Sequence, residues 1–457
     1  MSVLSLILIS LCSIVPAEVN VGTEVDGRIK LMNAVNNGPV VSKSDQVRDN
    51  FKSYMDCSIP YARTHDAAFE SAYGGEHTVD ISAIFTDFSK DVNDPVSYDF
   101  ALTDCYLGNI RAAGTQVFFR LGQKIEHNSK KYNILPPADY HKWAEICEHI
   151  IRHYNEDWAD GFHWDIRYWE IWNEPDLDMD NEAWKINPRT WGGSSEEFFK
   201  FYSTVALHLK KQFPELKIGG PAIAHNEKWA ADFLTYMSGN RVALDFFSWH
   251  IYDTRPDRFV SKAESIRKLL DGNGYGEAES ILDEWNYIKD WTGAFQSSIN
   301  TIMSLKGAAF VAAVLQSCQN APVDMLMYYD ARPSAFNGLF DYYTYAPLPS
   351  YYVFYAWNKL LSLGNQLPAV SSDSDVYVTA ASDGKGRSAI LVSRYNDDNN
   401  VVEKKRVRLN LGENVCGEVT AHLTDSAHLY TEIPVSYESC SVEFTLEPNS
   451  FIIIETR

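Results

Sequence analysis

Eight short β-type runs recur along the first three quarters of the chain, and helical patterns fall between them. The eight runs are Ile29–Ala34, Ile59–Thr64, Thr115–Leu121, Ile166–Trp172, Leu216–Gly219, Leu244–His250, Ser280–Glu284 and Val323–Tyr329. Strands that alternate with helices pair in parallel through right-handed crossovers. Eight such units, with no glycine-rich nucleotide loop after the first strand, favour a closed (β/α)8 TIM barrel over a doubly wound sheet.

The helical patterns rest on apolar periodicity and on one capping signal. Apolar residues recur three and four apart between Tyr140 and Tyr154, and Ser194 stands at capping-box spacing from Glu197. Further helices are predicted at about Asp45–Cys57, Asp99–Ala112, Glu227–Ser238, Arg258–Leu270, Ala294–Cys318 and Ser350–Leu363. In a barrel of this kind, chemistry takes place at the C-terminal ends of the strands.

The character of the sequence changes after about Gln366, where short alternating runs are separated by Asn, Asp and Gly turns. The predicted strands there are Asp375–Ala380, Ser388–Tyr395, Val401–Leu411, Val419–Leu423, Ser441–Leu446 and Phe451–Glu455. We therefore divide the chain into an α/β barrel at residues 18–365 and an antiparallel β-sandwich at residues 366–457. Part of Ala17–Val25 is expected to join the sandwich, because this segment precedes the first barrel strand.

Residues 1–17 are predicted to be a signal peptide. Val3 to Val15 form an apolar run too short to span a bilayer, and Ala17 supplies a small residue at its end. No Lys or Arg precedes the run, which departs from the usual pattern. We expect a secreted or periplasmic protein without a membrane span.

Seven cysteines do not make a disulfide scaffold in a chain of 457 residues. Cys416 and Cys440 flank a predicted strand region and could pair. Four others lie in stretches of helical pattern, where a buried thiol packs as a small apolar side chain: Cys57, Cys105, Cys147 and Cys318.

Composition excludes some partners. The chain has 40 Lys+Arg against 61 Asp+Glu and no basic stripe, so nucleic acid is not expected to bind. Its 12 Trp, 26 Tyr and 23 Phe suit both core packing and stacking on sugars, and composition does not choose between these roles. No CxxC or HExxH motif occurs, and His149 and His153 lack the acidic residue of a zinc helix. We expect no metal and no cofactor.

Two of the predicted strands end in a glutamate. The string YWEIWNEPD closes the fourth strand and presents Asn173 and Glu174 at the barrel mouth. The string ILDEWN closes the seventh strand and presents Glu284. Two carboxylates on opposite walls of one barrel mouth are what a glycosidase requires.

The chemistry of such a pair follows from charge. Ionised Glu284 can attack the anomeric carbon, and its charge raises the pKa of Glu174, which then protonates the leaving oxygen. Carboxyl groups about 5–5.5 Å apart predict retention of configuration. Asn173 is expected to hydrogen-bond the sugar 2-OH, whereas Glu170, flanked by apolar residues, is expected to face a salt-bridge partner in the barrel wall.

Several ordered strings between about Ser44 and Leu363 resemble glycoside hydrolase clan A, and most closely family 39, the β-xylosidases and α-L-iduronidases. The matching strings are YARTH from Tyr61, DYHKW from Asp139, EIWNEP from Glu170, LKIGGPAI from Leu216, LDFFSWHIY from Leu244 and FNGLF from Phe336. The resemblance implies that Glu174 is the acid/base, that Glu284 is the nucleophile and that the partner is an oligosaccharide or polysaccharide.

The resemblance also implies that His65, Asn173, His250 and Tyr252 form the sugar-binding shell. His65 ends the second predicted strand, and His250 and Tyr252 end the sixth, so they reach the same face of the barrel. A structural hydrogen bond is the alternative role for a histidine at a strand end. Tyr252 has a second candidate role, a hydrogen bond that holds Glu284 ionised and oriented.

Four positions depart from the β-xylosidase pattern and are further candidates for substrate contact. Arg120 stands where those enzymes tend to have Glu, and a cation there would favour an acidic sugar or pair with Asp283. Asp283 and Trp285 flank the nucleophile in place of a Thr-Glu-Tyr string, and Tyr329 lies in YYDAR, which replaces an aromatic string ending in Trp.

The leading hypothesis is a secreted retaining exo-glycosidase, similar to a β-xylosidase, that acts on plant or host polysaccharide fragments. α-L-Arabinofuranosidase and α-L-iduronidase-type activities stay open, as does endo action or transglycosylation by the same residues. A hypothesis of another class is a carbohydrate-binding pseudoenzyme that no longer hydrolyses. The presence of both Glu174 and Glu284 argues against it.

Overall fold

The structure is a computed structural model that describes residues 16–42, 48–65 and 78–457. Residues 1–15, which make up most of the predicted signal peptide, lie outside the described residues. The chain forms two compact units: the barrel unit, Arg28–Ser362, and the sandwich unit, which joins the described part of residues 1–27 to residues 363–457. The boundaries predicted from the sequence lie between residues 17 and 18 and between residues 365 and 366.

Eight parallel strands form a closed barrel, which confirms the fold that the strand–helix alternation predicted. The first described strand, β1 (Ala17–Val21), precedes them and belongs to the sandwich unit. The barrel strands are β2 (Leu31–Asn36), β3 (Tyr61–Arg63), β4 (Gln116–Leu121), β5 (Tyr168–Ile171), β6 (Lys217–Ile223), β7 (Phe246–Asp253), β8 (Glu279–Tyr287) and β9 (Met325–Tyr328). Each of the eight predicted runs overlaps one of them.

Helices follow most of these strands. They are α1 (Phe51–Asp56), α2 (Ile81–Ile84), α3 (Ala101–Ala112), α4 (Tyr140–Asn155), α5 (Ser195–Gln212), α6 (Glu227–Gly239), α7 (Pro256–Gly272), α8 (Phe295–Ile302), α9 (Leu305–Gln319) and α10 (Pro349–Leu363). The predicted capping box starts α5, since Ser194 N donates to Glu197 Oε2 at 2.8 Å and Glu197 N donates to Ser194 Oγ at 3.3 Å.

One helix prediction was wrong: Ala294–Cys318 is not one helix but two, α8 and α9, bent by 79°. Ser304 caps the second helix by accepting a hydrogen bond from Gly307 N at 3.4 Å. A side chain at Gly307 would come within 2.4 Å of Thr301 O, so only glycine allows this close turn. Among the described residues, no single helix is long and apolar enough to cross a membrane, although this bent pair meets that test by length and composition.

The interior of the barrel is layered along the strand direction. Its N-terminal part is filled with apolar side chains, namely Ala34, Phe118, Tyr168, Phe246, Ile281, Met325 and Met327. Two residues further along the same strands, the interior positions become polar: Arg120, Glu170, Ser248 and Asp283. Because side chains alternate between the two faces of a strand, this places a buried polar layer directly below the barrel mouth.

β8 carries a β-bulge that the sequence did not reveal. Trp249 of β7 pairs with Leu282, but the next residue of β7, His250, pairs with Glu284, so Asp283 is an extra residue in the ladder. The predicted strand ended at Glu284, whereas β8 continues to Tyr287. Because of the bulge, the neighbouring carboxylates of Asp283 and Glu284 both reach the barrel interior, where each contacts the Arg63 guanidinium.

The sandwich unit consists of two sheets that share one apolar core. Its remaining strands are β10 (Asn365–Leu367), β11 (Ala369–Ser371), β12 (Val376–Ser382), β13 (Ser388–Arg394), β14 (Lys405–Leu411), β15 (Val419–Thr424), β16 (Thr431–Glu432), β17 (Ser436–Glu438), β18 (Ser441–Leu446) and β19 (Ser450–Thr456). The sheet orders are β11-β1-β14-β18-β17 and β10-β12-β13-β19-β15-β16. The sheets are not purely antiparallel, since β1 pairs with β14 in parallel. Cys416 and Cys440 form a disulfide.

Candidate active site

Glu174 and Glu284 lie together at the mouth of the barrel. Glu174 follows the end of β5 and Glu284 lies in β8. One oxygen from each carboxylate and one ring nitrogen of His250 all lie within 4.8 Å of one another. Both carboxylates are largely buried, and their spacing lets them reach one bond of a molecule held between them.

The loop after β5 holds Glu174 in a strained backbone conformation. Its φ angle is +49°, in the left-handed region that a side chain disfavours, and Trp172 nearby has a φ of +76°. Glu174 N donates to Ala222 O at 2.9 Å, and the Thr190 hydroxyl donates to Glu174 O at 2.6 Å. These hydrogen bonds hold the sharp turn that aims the carboxylate inward.

Glu284 is held by donors on both of its oxygens. The Tyr252 hydroxyl donates to Oε1 at 2.6 Å, while Arg63 Nη1 and His65 Nε2 both lie 3.3 Å from Oε2. Burial opposes ionisation, but the charge of His250, the hydrogen bond from His65 and the charge of Arg63 outweigh it and lower the pKa of Glu284. Glu284 is therefore an anion near neutral pH, as a nucleophile must be.

Glu174 has the opposite electrostatic balance. Burial raises its pKa, the hydrogen bond and charge of His250 lower it, and the charge of Glu284 raises it again, so that the net shift is upward. His250 Nδ1 lies 2.8 Å from Glu174 Oε1. The environments thus push the two glutamate pKa values apart, that of Glu174 upward and that of Glu284 downward.

Arg63 lies at the centre of the polar layer and has no solvent exposure. Its Nε is 2.7 Å from Glu170 Oε2 and 3.0 Å from Asp283 Oδ2. Its Nη2 donates to Asn173 Oδ1 at 2.7 Å. Together with Glu284, three carboxylates from two strands surround this one guanidinium. Arg63 is the salt-bridge partner that the sequence predicted for Glu170 without naming it.

Sequence reasoning did not assign a role to Arg63, although a signal was present. Arg63 is the last residue of β3 and His65 follows it by two residues, and alternate residues of an extended chain point to the same side. The sequence could therefore have predicted that Arg63 points into the barrel, next to the expected sugar contact His65. Asn36, whose amide donates to Asp283 O at 2.8 Å, was missed as well.

The structure brings five predicted substrate-contact residues to the mouth: His65, Asn173, His250, Tyr252 and Tyr329. The Tyr329 ring meets the His65 ring edge-on at a centroid distance of 5.7 Å. His250 and Tyr252 contact the two glutamates directly, as described above. Because His250 hydrogen-bonds to Glu174 and Tyr252 hydrogen-bonds to Glu284, these two side chains hold the carboxylates in place.

Three other predicted contacts lie elsewhere. Arg120 is fully buried, and its Nη2 donates to Asp80 Oδ1 at 2.7 Å rather than pairing with Asp283. Asp283 is also fully buried, next to Glu284 in β8 and against Arg63.

Trp285 is turned away from the mouth and packs against Phe259, Phe310 and Tyr328, with ring centroids 5.3–6.3 Å apart. The reason is the bulge in β8, which turns two successive residues inward and the next one outward. The assignment of Trp285 to the substrate site is therefore corrected.

Comparison with known proteins gives a family. The sequence profile of glycosyl hydrolases family 39 matches residues 62–389. A β-xylosidase from Geobacillus stearothermophilus is 26% identical over 285 residues, which are 56% of this chain and 52% of that protein. A β-xylosidase from Caldicellulosiruptor saccharolyticus is 33% identical over 145 residues, which are 31% of this chain and 25% of that protein.

The match to these curated relatives thus spans about half, or a quarter, of their own length. The whole fold has a counterpart in the crystal structure of a glucosidase from Croceicoccus marinus. The TM-score is 0.78 at 23% identity, over 97% of this chain and 99% of that chain. At this level of identity, the structural likeness bears on the fold and not on the substrate.

The Arg63 cluster predicts a specific loss of stability. Arg63→Gln leaves buried carboxylates without their counter-charge, so the free energy of unfolding should fall by about 3–5 kcal/mol at pH 7 in a urea titration. The pKa of Glu284 is lowered in the folded protein, so its share of this stability is present above the unfolded pKa and is lost as the pH falls. The difference from wild type should shrink below about pH 4.

The matched control is Arg387→Gln, which breaks an exposed Arg–Asp pair with Asp383 at 2.8 Å. We expect this variant to unfold at the same urea concentration as wild type, because water screens the pair. Equal unfolding midpoints for Arg63→Gln and wild type would show that the cluster is not a source of stability.

Proposed function

Because this chain belongs to glycosyl hydrolases family 39, we propose that it is a retaining exo-glycosidase that hydrolyses terminal glycosides, with β-xylosides as its main substrates. The observation that carries the proposal is the pair of carboxylates at one barrel mouth, with oxygens within 4.8 Å and opposite pKa shifts. That spacing supports retention, because retaining enzymes place these groups about 5–5.5 Å apart and inverting enzymes place them further apart.

In the first step, the Glu284 carboxylate attacks the anomeric carbon and forms a glycosyl ester. Glu174 gives its proton to the glycosidic oxygen, which leaves with the electron pair of the broken C–O bond. Tyr252 keeps Glu284 oriented throughout. Burial and the charge of Glu284 raise the pKa of the Tyr252 phenol, which therefore remains a hydrogen-bond donor.

In the second step, Glu174 is a carboxylate and takes a proton from water, whose oxygen attacks the same anomeric carbon. The ester bond to Glu284 breaks, and the sugar leaves with its original configuration. Asn173 is proposed to hydrogen-bond the sugar 2-OH. Arg63 fixes the Asn173 amide, and within the described part of the chain no group accepts from its Nδ2.

Two facts bear on the choice of sugar. The curated relatives carry the name β-xylosidase, which favours a xyloside. The sequence argument for an acidic sugar rested on Arg120, and its contact with Asp80 in a fully buried position removes that support. α-L-Arabinosides remain the second candidate, because they place their substituents much as β-D-xylosides do.

We also propose that the protein acts outside the cytoplasm. Support comes from the predicted leader at residues 1–17 and from the disulfide between Cys416 and Cys440, since disulfides persist mainly in oxidising compartments.

Substitution of the two glutamates should separate their roles. Glu284→Ala should abolish turnover, because no other group attacks the anomeric carbon. Glu174→Ala should lower kcat/KM by about 10²–10⁴-fold for a disaccharide but much less for a dinitrophenyl glycoside, whose leaving group needs no proton. Azide should restore turnover of the second variant and yield a glycosyl azide of retained configuration.

Glu279→Ala is the control, since Glu279 begins the same strand as Glu284 and pairs with Lys217 away from the mouth. It should hydrolyse at the wild-type rate. Equal loss on both substrates without azide rescue would remove Glu174 from the acid/base role.

A panel of nitrophenyl glycosides tests the substrate. We expect the β-D-xyloside to be hydrolysed fastest, the α-L-arabinoside more slowly and the α-L-iduronide not at all, with monosaccharide as the first product from xylo-oligosaccharides. Oligomeric first products would point to endo action. Tight oligosaccharide binding by the intact chain with no turnover would support the pseudoenzyme instead.

A further inference from the structure

Asp283 is a buried carboxylate with no part in the mechanism above. It contacts His250, which in turn contacts Glu174. Asp283 Oδ1 lies 3.3 Å from His250 Nε2, and His250 Nδ1 lies 2.8 Å from Glu174 Oε1. The three side chains therefore form a continuous line, Asp283–His250–Glu174. Asp283 and His250 are at most 1% exposed, so water does not compete for these contacts.

Charged groups lie against His250 or against the carboxylates that contact it. They are Arg63 and His65 from the β3 side, Glu170 on β5 and Glu174 after it, Asp283 and Glu284 on β8, and Lys262 on α7. Only some of them touch the imidazole: Asp283 at Nε2, and Glu174 at 2.8 Å and Glu284 at 3.8 Å from Nδ1. Lys262 donates to the backbone oxygen of His250 at 2.8 Å. Asp283 is thus the one carboxylate on the Nε2 side among the described residues.

The protonation state of His250 decides where the proton of Glu174 resides. A neutral imidazole that donates from Nε2 to Asp283 must accept at Nδ1, and it would take its hydrogen bond from the Glu174 O–H group. The acid's proton would then point at His250 and away from the substrate. A charged imidazolium instead donates from Nδ1 to Oε1, which leaves the proton of Glu174 on Oε2.

We infer that Asp283 is a positioning residue that keeps His250 charged and so directs the proton of Glu174 toward the leaving oxygen. This inference rests on the proposed function of Glu174. During the first step, the Oε2 proton passes to the glycosidic oxygen while the His250 hydrogen bond stays on Oε1. Burial disfavours the imidazolium, but Glu284 and Asp283 outweigh burial and raise the pKa of His250 to about 10.

Asp283→Asn tests this role, because it keeps the shape of the side chain and removes its charge. At pH 7, kcat/KM for an unactivated disaccharide should fall about 10–100-fold, while kcat/KM for a dinitrophenyl glycoside should change less than about threefold. His250→Gln should show the same selective loss, because His65, Arg63 and the Tyr252 hydroxyl still hold Glu284 as an anion at pH 7. The double variant should lose no more than either single one. Equal losses on the two substrates, or no loss on either, would overturn the inference.

Glu170→Gln is the matched control. Glu170 shares the Nε of Arg63 with Asp283, but its other oxygen accepts from Ser248 at 2.6 Å and not from His250. Burial raises the pKa of Glu170 to about 8, and a hydrogen bond between Glu170 and Asp283 lowers the pKa of Asp283. The amide introduced by Glu170→Gln can still donate to Asp283 and leaves its charge in place, so any loss in this variant should fall equally on both substrates. A selective loss on the disaccharide here would show that charge at Arg63, and not the line through His250, produces the effect.

Imidazole NMR signals give a readout that does not depend on turnover. The His250 signal, assigned by its absence in His250→Gln, should report a charged ring at pH 8 in wild type and in Glu170→Gln, but a neutral ring in Asp283→Asn. A ring that stays charged in Asp283→Asn would overturn the inference. Should that variant not fold, Asp283→Ser serves the same purpose. Absence of turnover by wild type would remove the proposed function, and the NMR result would still decide the state of His250.

Discussion

The buried contact between the Arg63 guanidinium and its carboxylates is the interaction on which the rest of the site depends. A charge with no solvent exposure is tolerated only when counter-charges and hydrogen bonds surround it, and Glu170, Asp283 and Glu284 supply them from two other strands of the barrel. The same contact fixes Asn173 and helps to keep Glu284 ionised. The stability of the barrel interior and the ionisation of Glu284 therefore have a common origin.

The chemistry follows from the order of layers along the strands. Apolar side chains close the N-terminal part of the barrel, the Arg63 layer lies above them, and the two glutamates lie above that layer at the mouth. The carboxylates are largely buried, and nearby charges therefore act strongly on them. His250 contacts both Glu174 and Glu284 and links them to Asp283. The protonation of Glu174 and that of Glu284 are therefore coupled.

Much of this arrangement was predictable from sequence because it depends on periodicity. The eight strand runs, the position of Glu174 just after β5 and the capping box at Ser194 all follow from local pattern, and the structure contains them. Glu284 lies inside β8 and not at its end. The wrong predictions arose where a local irregularity of the backbone decides which way a side chain points. A β-bulge has no pattern of its own, so Trp285 was assigned to the wrong face. Arg120 was expected either to favour an acidic sugar or to pair with Asp283, but its partner is Asp80, which lies in a segment that carried no motif.

The central claim is that Glu284 attacks the sugar while Glu174 handles the proton. A 2-deoxy-2-fluoro glycoside with a dinitrophenyl leaving group tests it most directly, because the fluorine slows both steps while the activated leaving group speeds formation of the glycosyl ester, which therefore accumulates. After peptide digestion, mass spectrometry should find one fluorosugar on the peptide that contains Glu284. A label on Glu174 or on any other residue would contradict the assignment, as would the absence of label from an enzyme that hydrolyses the parent glycoside.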